Sequence, residues 1–440
     1  MGSAHRGHRG VHRRRCRILE YPTPRAVYRS RRCRVGGAGV TISSLPEMSD
    51  AISDPRVSTV DRTADSDEIR ALFDLVRELN RDLLVPRVDQ AEATGSFPRD
   101  ILHTLGAAGL MSLAYPIEIG GGGQPASVSL QVLEELATSW LSIAVSVSVH
   151  SLACFPLVHA GSLQQRQRWL DQMLSGERLG AYCLSEPHSG SDAAALTTRA
   201  TPTNGGYRIS GRKAWITHGG EAEFYHVMTR TGGDGPAGIS CFLIDADTPG
   251  LTAAPRERKM GAWASPTAAI ILDDVTVTSD RLIGDEGQGF AIAMAGLDAG
   301  RLGIAACAVG LAQAALQAAV AYATQRQQFS QPIADFQGVS FLLADMATAV
   351  EAARSLYLAA ADRADRGLPY SAQAAMAKLL ATDTAMRVAT DAVQILGGYG
   401  YTRDFPVERF FREAKMLQIV EGTNQIQRMV IGRHLTGVRR

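Results

Sequence analysis

Lysine is almost missing from this 440-residue sequence. Four occur, at 213, 259, 378 and 415, against 41 arginines. With abundant Ala and Gly, that skew reflects G+C-rich coding and carries no function by itself. Cysteine is sparse as well. Cys16, Cys33, Cys154, Cys183, Cys241 and Cys307 form no C-x-x-C pair or other metal-ligand spacing. They read as reduced thiols in a cytosol-like compartment. No strand–GxGxxG–helix unit is present, and no GxxxxGK(S/T), HExxH or GxSxG. These absences argue against Rossmann enzymes, kinases, zinc proteases and α/β-hydrolases. No continuous apolar stretch opens the chain, so its start is not a secretory signal.

What is present is the balance of a globular protein, 45% apolar and 20% charged. The length exceeds one ordinary core and implies two or three subdomains. A net charge of +1 hides an asymmetry. Residues 1–47 carry 11 Arg against Glu20 and Glu47, a net of +9, which leaves 34 basic and 42 acidic side chains in 48–440, a net of −8. A nucleic-acid role would therefore rest on the basic segment alone.

Residues 1–47 have no apolar period and too little apolar surface to offset the entropy of ordering them. They are compatible with an Arg-rich, acid-poor transit peptide, with a disordered basic tail, or with upstream sequence ahead of a true start near Met48. The stretch MSDAISDP that follows has the form of an ordinary amino terminus and favours the third. The expected location is cytoplasmic, or the mitochondrial matrix if the segment is a transit peptide.

Apolar spacing predicts helices over 67–84, 97–111, 125–154 and 163–174. From about 179 to 287 the pattern becomes alternating or β-branched, as in GYRISGRKAWIT, FYHVMTR, ISCFLIDAD and TAAIILDDVTV, broken by NGG, TGGDGPAG and DTPG. This reads as antiparallel strands. Helical spacing returns over 288–325, 335–367, 370–396 and 422–435. The fold class is α+β, with segments 64–178, 179–287 and 288–440 as helices, sheet and helical bundle. The stretch 302–323 is apolar enough to raise a membrane span, but Gln313 and Gln317 interrupt it and its Ala-rich face suits a bundle core.

Four segments exceed what local structure requires. Tyr182-Cys-Leu-Ser-Glu-Pro-His-Ser-Gly-Ser-Asp192 is a hydroxyl-rich loop able to present donors to a polar ring or phosphate; it also reads as a plain turn. Lys213-Ala-Trp-Ile-Thr217 puts Trp215 and Thr217 on one side of a strand; Trp215 also reads as core. Gln394-Ile-Leu-Gly-Gly-Tyr-Gly400 is a Gly cluster after a helix, or a simple helix stop. In Ile419-Val-Glu-Gly-Thr-Asn-Gln-Ile-Gln-Arg428, Glu421 precedes a helix start, where it also reads as a capping carboxylate.

Together, from about residue 66 to 435, these segments resemble the acyl-CoA dehydrogenase family in order and spacing. Ala114-Tyr-Pro…Gly-Gly, Lys259-Met-Gly, Gly284-Asp-Glu-Gly-Gln-Gly-Phe290, Arg326-Gln-Gln-Phe329 and Phe410-Phe-Arg-Glu-Ala-Lys415 support the likeness. The resemblance implies an N-terminal all-α domain, a middle antiparallel β domain and a C-terminal four-helix bundle. It also implies FAD, held between sheet and bundle and partly across a subunit boundary in a homotetramer (a dimer of dimers).

By motif match, Tyr182, Cys183, Leu184, Ser185, Ser191, Trp215, Ile216 and Thr217 would line the flavin, with Thr217 near N5. Arg326, Gln328, Gln337, Gln394, Ile395, Leu396, Gly397, Gly398, Thr423 and Gln425 would hold the rest of FAD, of this or a neighbouring subunit. Ser191, Asp298, Arg301, Glu421 and Gly422 would contact acyl-CoA. Glu421 would take the α proton while the β hydride moves to the flavin. The Glu421 N–H and a ribityl hydroxyl would stabilise the thioester oxygen, and electrons would pass to electron-transfer flavoprotein. A raised carboxyl pKa, about 6–7, suits this role.

A branch of the family carries its base in the first bundle helix, at the position of Gly300 in Leu297-Asp-Ala-Gly-Arg301. Gly cannot serve, so the pattern resembles the short-chain, butyryl-type members. His188, Ser330, Trp263 and Pro266 depart from the common pattern. An oxygen-using acyl-CoA oxidase is the competing enzyme, and a nucleic-acid-associated flavoprotein the competing class. The acidic body argues against the latter, and Glu421 argues against flavin monooxygenase relatives. No membrane association is expected.

Overall fold

A computed structural model describes Gly2 and residues 66–438. The readings of residues 1–47, the start at Met48, Cys16 and Cys33 lie outside the described residues. Among the described residues six α-helices precede the sheet: α1 (Asp67–Leu79), α2 (Val88–Thr94), α3 (Arg99–Ala107), α4 (Ala126–Ser139), α5 (Leu141–Ala160) and α6 (Leu163–Leu174). Ser66 caps α1 by accepting from the Ile69 N–H, and Ser162 and Gln165 form a reciprocal capping box on α6. The expected helix over 67–84 is α-helical only to Leu79 and closes in a π-turn over Asn80–Leu84.

The single helix expected over 125–154 is two. Trp140 breaks it in an extended conformation (φ −155°, ψ 103°). No Gly or Pro causes this. The buried Glu92 carboxylate accepts from the Trp140 indole N–H (2.8 Å), from the Ser142 hydroxyl and from the Trp263 backbone N–H (2.7 Å), so a tertiary anchor overrides helix propensity.

The sheet follows: β1 (Gly180–Cys183), β2 (Arg199–Thr203), β3 (Gly206–Thr217), β4 (Phe224–Arg230), β5 (Ile239–Asp245), β6 (Leu251–Ala253), β7 (Thr267–Thr278) and β8 (Leu282–Ile283). Its order is β6-β7-β3-β2-β4-β5-β8, with β1 on β4. Most neighbours pair antiparallel, as expected, and two pairings are parallel. β1 runs parallel to β4 over Gly180–Cys183, and β2 meets β4 in parallel at Arg199 and Arg230.

The second helical region begins with α7 (Gly289–Gln325). A hairpin, β9 (Gln327–Gln328) and β10 (Gln331–Pro332), follows, then α8 (Gln337–Asp365), α9 (Ser371–Leu396), α10 (Val407–Leu417) and α11 (Asn424–Thr436). Among the described residues five helices thus follow the sheet, three long and two short, as the helical domain expected there. α9 packs against all four others. The hairpin turn places Phe329 and Ser330 at φ 52° and 66°, a left-handed pair that glycine adopts more readily. α5 and α7 are long and apolar enough to cross a membrane, yet 94% of each apolar window is buried against the rest of the protein. The 302–323 stretch is a core helix, as read from its Ala-rich face.

Candidate active site

The turn between α10 and α11 carries Glu421. Its backbone is left-handed (φ 52°), and Gly422 follows at φ 89°. Side chains hold this strained turn in place. Lys378 of α9 donates to the Gly422 carbonyl (3.0 Å) and to Asn424 Oδ1 (2.9 Å). Gln427 Nε2 donates to the carbonyls of Gly422 (2.8 Å) and Glu421 (3.3 Å). Thr423 caps α11 by accepting from the Ile426 N–H. The capping role open to Glu421 in the sequence therefore belongs to Thr423.

Both carboxylate oxygens of Glu421 are buried without a hydrogen-bond partner. Burial pushes the carboxyl up to about 7, against the opposing pull of Lys378 and Arg301. The carboxylate rests on the backbone of α7: a Cβ added at Gly300 would lie 2.0 Å from Glu421 Oε2. Gly300 is the seat of the carboxylate, and only glycine leaves room for it. The Glu421 N–H has no acceptor among the described residues, so it remains available to an oxygen brought beside it.

The loop after β1 is fixed by a buried ion pair. Lys213 Nζ donates to Glu186 Oε1 (2.8 Å) and to the Leu184 carbonyl (3.1 Å). Glu186 also accepts from the Thr197 and Thr198 backbone N–H groups, and these partners hold its carboxyl at about 2 against the cost of burial. Ala214 N–H donates to the Ser185 carbonyl (2.9 Å), tying the loop to β3. His188, one of the departures from the family pattern, sits half-exposed with Nε2 3.7 Å from Glu186 Oε2.

Over Trp215–Thr217 the exposed, buried and half-buried sequence is that of a strand with Trp215 and Thr217 on one side and Ile216 on the other. β3 slips its register against β7 between Lys213 and Ile216, and Trp215 takes φ 62°. Trp215 is 64% exposed rather than core, while Ile216 is buried and Thr217 half-buried.

Tyr182 aims a buried hydroxyl with no partner into the same region, and its field reaches Glu421. Cys183 and Leu184 are buried, Ser185 is half-buried and Ser191 exposed. On α7, Arg301 pairs with Asp298, which also accepts from the Ser371 hydroxyl (3.0 Å). Arg301 Nε is buried and unpartnered. Burial raises the Asp298 carboxyl.

The remaining expected ligands fall elsewhere. Asn424, next to Thr423 and the exposed Gln425, bonds Thr382 near the middle of α9. Gln394 lies 12 residues further along that helix, about 18 Å away at 1.5 Å per residue. There Gln394, Gly397 and Gly398 are exposed, and a Cβ on either glycine would meet nothing within 4 Å. The side chains of Ile395 and Leu396 are in the core. Arg326 stacks on Tyr399 (5.9 Å) at the same end, with Gln328 and Gln337 exposed. One chain therefore presents two groups: Tyr182–Ser191, Trp215–Thr217, Asp298, Arg301 and Glu421–Gln425, and separately Arg326, Gln328, Gln337 and Gln394–Gly398.

The residues present suit a flavin. Around the orphaned carboxylate and Tyr182 hydroxyl the loop offers neutral hydroxyl and backbone donors and an exposed indole, groups able to bond and stack on a polar, electron-accepting ring. The sequence reading missed Lys378, and named Lys213 only as the start of a segment without its pairing with Glu186. The scarcity of lysine was the available signal: Lys213 and Lys378 are completely buried.

Comparison with known proteins agrees with this geometry. Residues 66–177, 181–275 and 287–436 match the N-terminal, middle and C-terminal domains of acyl-CoA dehydrogenase. An acyl-CoA dehydrogenase of Bacillus subtilis is 46% identical over 365 residues, covering 82% of this chain and 96% of its own. Cyclohexane-1-carbonyl-CoA dehydrogenase of Geobacter metallireducens is 39% identical, covering 84% and 98%. The solved structure of butyryl-CoA dehydrogenase from Megasphaera elsdenii superposes with a TM-score of 0.83 at 38% identity, covering 86% and 100%. The chain belongs to the acyl-CoA dehydrogenase family, FAD-dependent oxidoreductases that act on acyl-CoA thioesters.

Proposed function

We propose that this chain removes the α proton of a short or branched-short acyl-CoA thioester with Glu421 and yields the trans-2-enoyl-CoA. The observation that carries the reading is the Glu421 carboxylate, buried on Gly300 with neither oxygen bonded. A dry carboxylate near neutral pKa is a competent base toward a weakly acidic C–H. The Glu421 N–H donates to the thioester oxygen as negative charge develops there. FAD, when bound, supplies the acceptor for the β hydride. Tyr182–Ser185, Ser191 and Trp215–Thr217 hold its ring, with Thr423 and Gln425 beside them. Asp298, Arg301, Ser191 and Gly422 contact acyl-CoA.

Arg326, Gln328, Gln337 and Gln394–Gly398 hold the FAD of a neighbouring copy in a homotetramer, which accounts for their separation from Thr423. Electrons leave to electron-transfer flavoprotein, and the exposed Trp215 is the residue of the ring-holding set that a docking partner could reach. The short-chain preference is supported by the likeness to butyryl-type members and by Gly300 within Leu297–Arg301.

Anaerobic addition of butyryl-CoA to the FAD-loaded protein tests the reading. Bleaching of the flavin band faster than with a long straight-chain acyl-CoA is expected. Bleaching only by long chains would overturn the short-chain preference, and no bleaching by any acyl-CoA would overturn the reaction.

A further inference from the structure

We propose that Lys378 is a positioning residue for Glu421: its buried ammonium fixes the turn that carries the base and supplies the positive charge that keeps the base ionised in a dry seat. The inference rests on Glu421 being the base.

Glu421 and Gly422 are consecutive left-handed residues, a conformation that persists only where surrounding contacts over-determine it. Lys378 Nζ reaches two groups just after Glu421 at once, the Gly422 carbonyl at 3.0 Å and Asn424 Oδ1 at 2.9 Å. Asn424 is locked in turn by Thr382 (2.9 Å) and Asp383 (2.7 Å) of the same helix. A compact ammonium with three donors satisfies two converging oxygens in a way that a planar guanidinium does not. In a chain with 41 Arg and four Lys, a lysine stands here, with no exposed surface.

Four groups face the Glu421 carboxyl: Lys378 from α9, Arg301 and Cys307 from α7, and Tyr182 from β1. The Tyr182 hydroxyl and Cys307 thiol are neutral, burial holding both above their usual ranges. Arg301 is already paired with Asp298. The oxygens bonded to Lys378 are a carbonyl and an amide, neither of which cancels its charge. Asp383, the nearest other carboxylate to act on it, is engaged by Asn424, Gln418 and Arg428. Lys378 is therefore the main counterweight to the desolvation of Glu421. Burial brings its own ammonium down to about 8, so it is still charged where Glu421 ionises.

The test uses the FAD-loaded protein with Lys378→Gln and Lys378→Arg. Two readouts are taken against pH: the rate of anaerobic flavin bleaching by butyryl-CoA, and, without substrate, the infrared carboxyl stretch assigned to Glu421 by its loss in Glu421→Gln. Removing a nearby cation raises a carboxyl pKa by about 1 or more. In Lys378→Gln the infrared titration and the acid limb of the rate should move together by about one pH unit upward. Bleaching at pH 7 then falls about fivefold and recovers at pH 9. Lys378→Arg keeps the cation but not the compact ammonium, so it should leave the infrared titration near its wild-type position while lowering the rate at every pH.

In Lys378→Gln, an unmoved titration, or a loss of rate equal at every pH, would overturn the proposal and leave Lys378 a merely structural group. Should Lys378→Gln fail to fold, Asn424→Asp neutralises the ammonium with the lysine in place; the same upward shift is expected, and its absence would overturn the proposal equally. If wild-type protein bleaches with no acyl-CoA, the base assignment fails, while the infrared titration still judges Lys378 by itself.

Discussion

At Glu421 the tertiary structure sets desolvation against two cations, and the balance leaves the carboxyl at about 7. The sign of the pH dependence follows. Protonated Glu421 cannot accept a proton, so kcat/KM rises about tenfold per pH unit below that value and levels off above it. A profile flat down to pH 5 would contradict the burial described. Gly300 is the second decisive residue. Gly300→Ala puts a methyl where Glu421 Oε2 now sits, and α7 offers no slack because it is buried on nearly every side. A base displaced by about 1 Å costs on the order of a hundredfold in rate. The expected outcome is that loss in bleaching rate with FAD content unchanged; a full-rate variant would show that the carboxylate moves aside when substrate binds.

Among the elements, the loop after β1 depends on one ion pair. Lys213→Met leaves Glu186 charged, buried and without its cation, and breaking such a pair costs about 3–5 kcal/mol. A lower Tm and weakened FAD retention are expected, read by calorimetry and flavin release; an unchanged Tm would mean that the Thr197 and Thr198 N–H groups suffice. This region also marks where sequence reading stops. The run GYRISGRKAWIT predicts a strand, and β3 is one, but alternation cannot show its bulge at Trp215, because a register slip is set by the partner strand. Trp140 breaks the helix over 126–160 for a similar reason: its anchor, Glu92, is 48 residues away. Glu421 and Gly300 were legible because motif spacing carries them. Lys378 was not, since it stands 43 residues before Glu421 on a helix whose local pattern shows only an interrupted apolar face.

In the whole molecule, the expected FAD ligands divide into two groups along α9, and large apolar side chains stand exposed near the second. Phe329 is 90% exposed, Tyr401 87% and Phe341 61%. Covering an aromatic of this size contributes about 1.5–3 kcal/mol. If a second copy covers them and completes the FAD site, Phe341→Asp should dissociate the assembly and release flavin together, seen by sedimentation velocity with detection at the flavin band. Dissociation without flavin loss would show that one chain holds FAD alone.

The most direct test of the account is anaerobic bleaching by butyryl-CoA in wild type and Glu421→Gln, each loaded with FAD to the same content. The account predicts that the variant binds flavin and thioester normally and bleaches about 10²–10⁴-fold more slowly. Bleaching at the wild-type rate would remove Glu421 from its role and require a base elsewhere in the site.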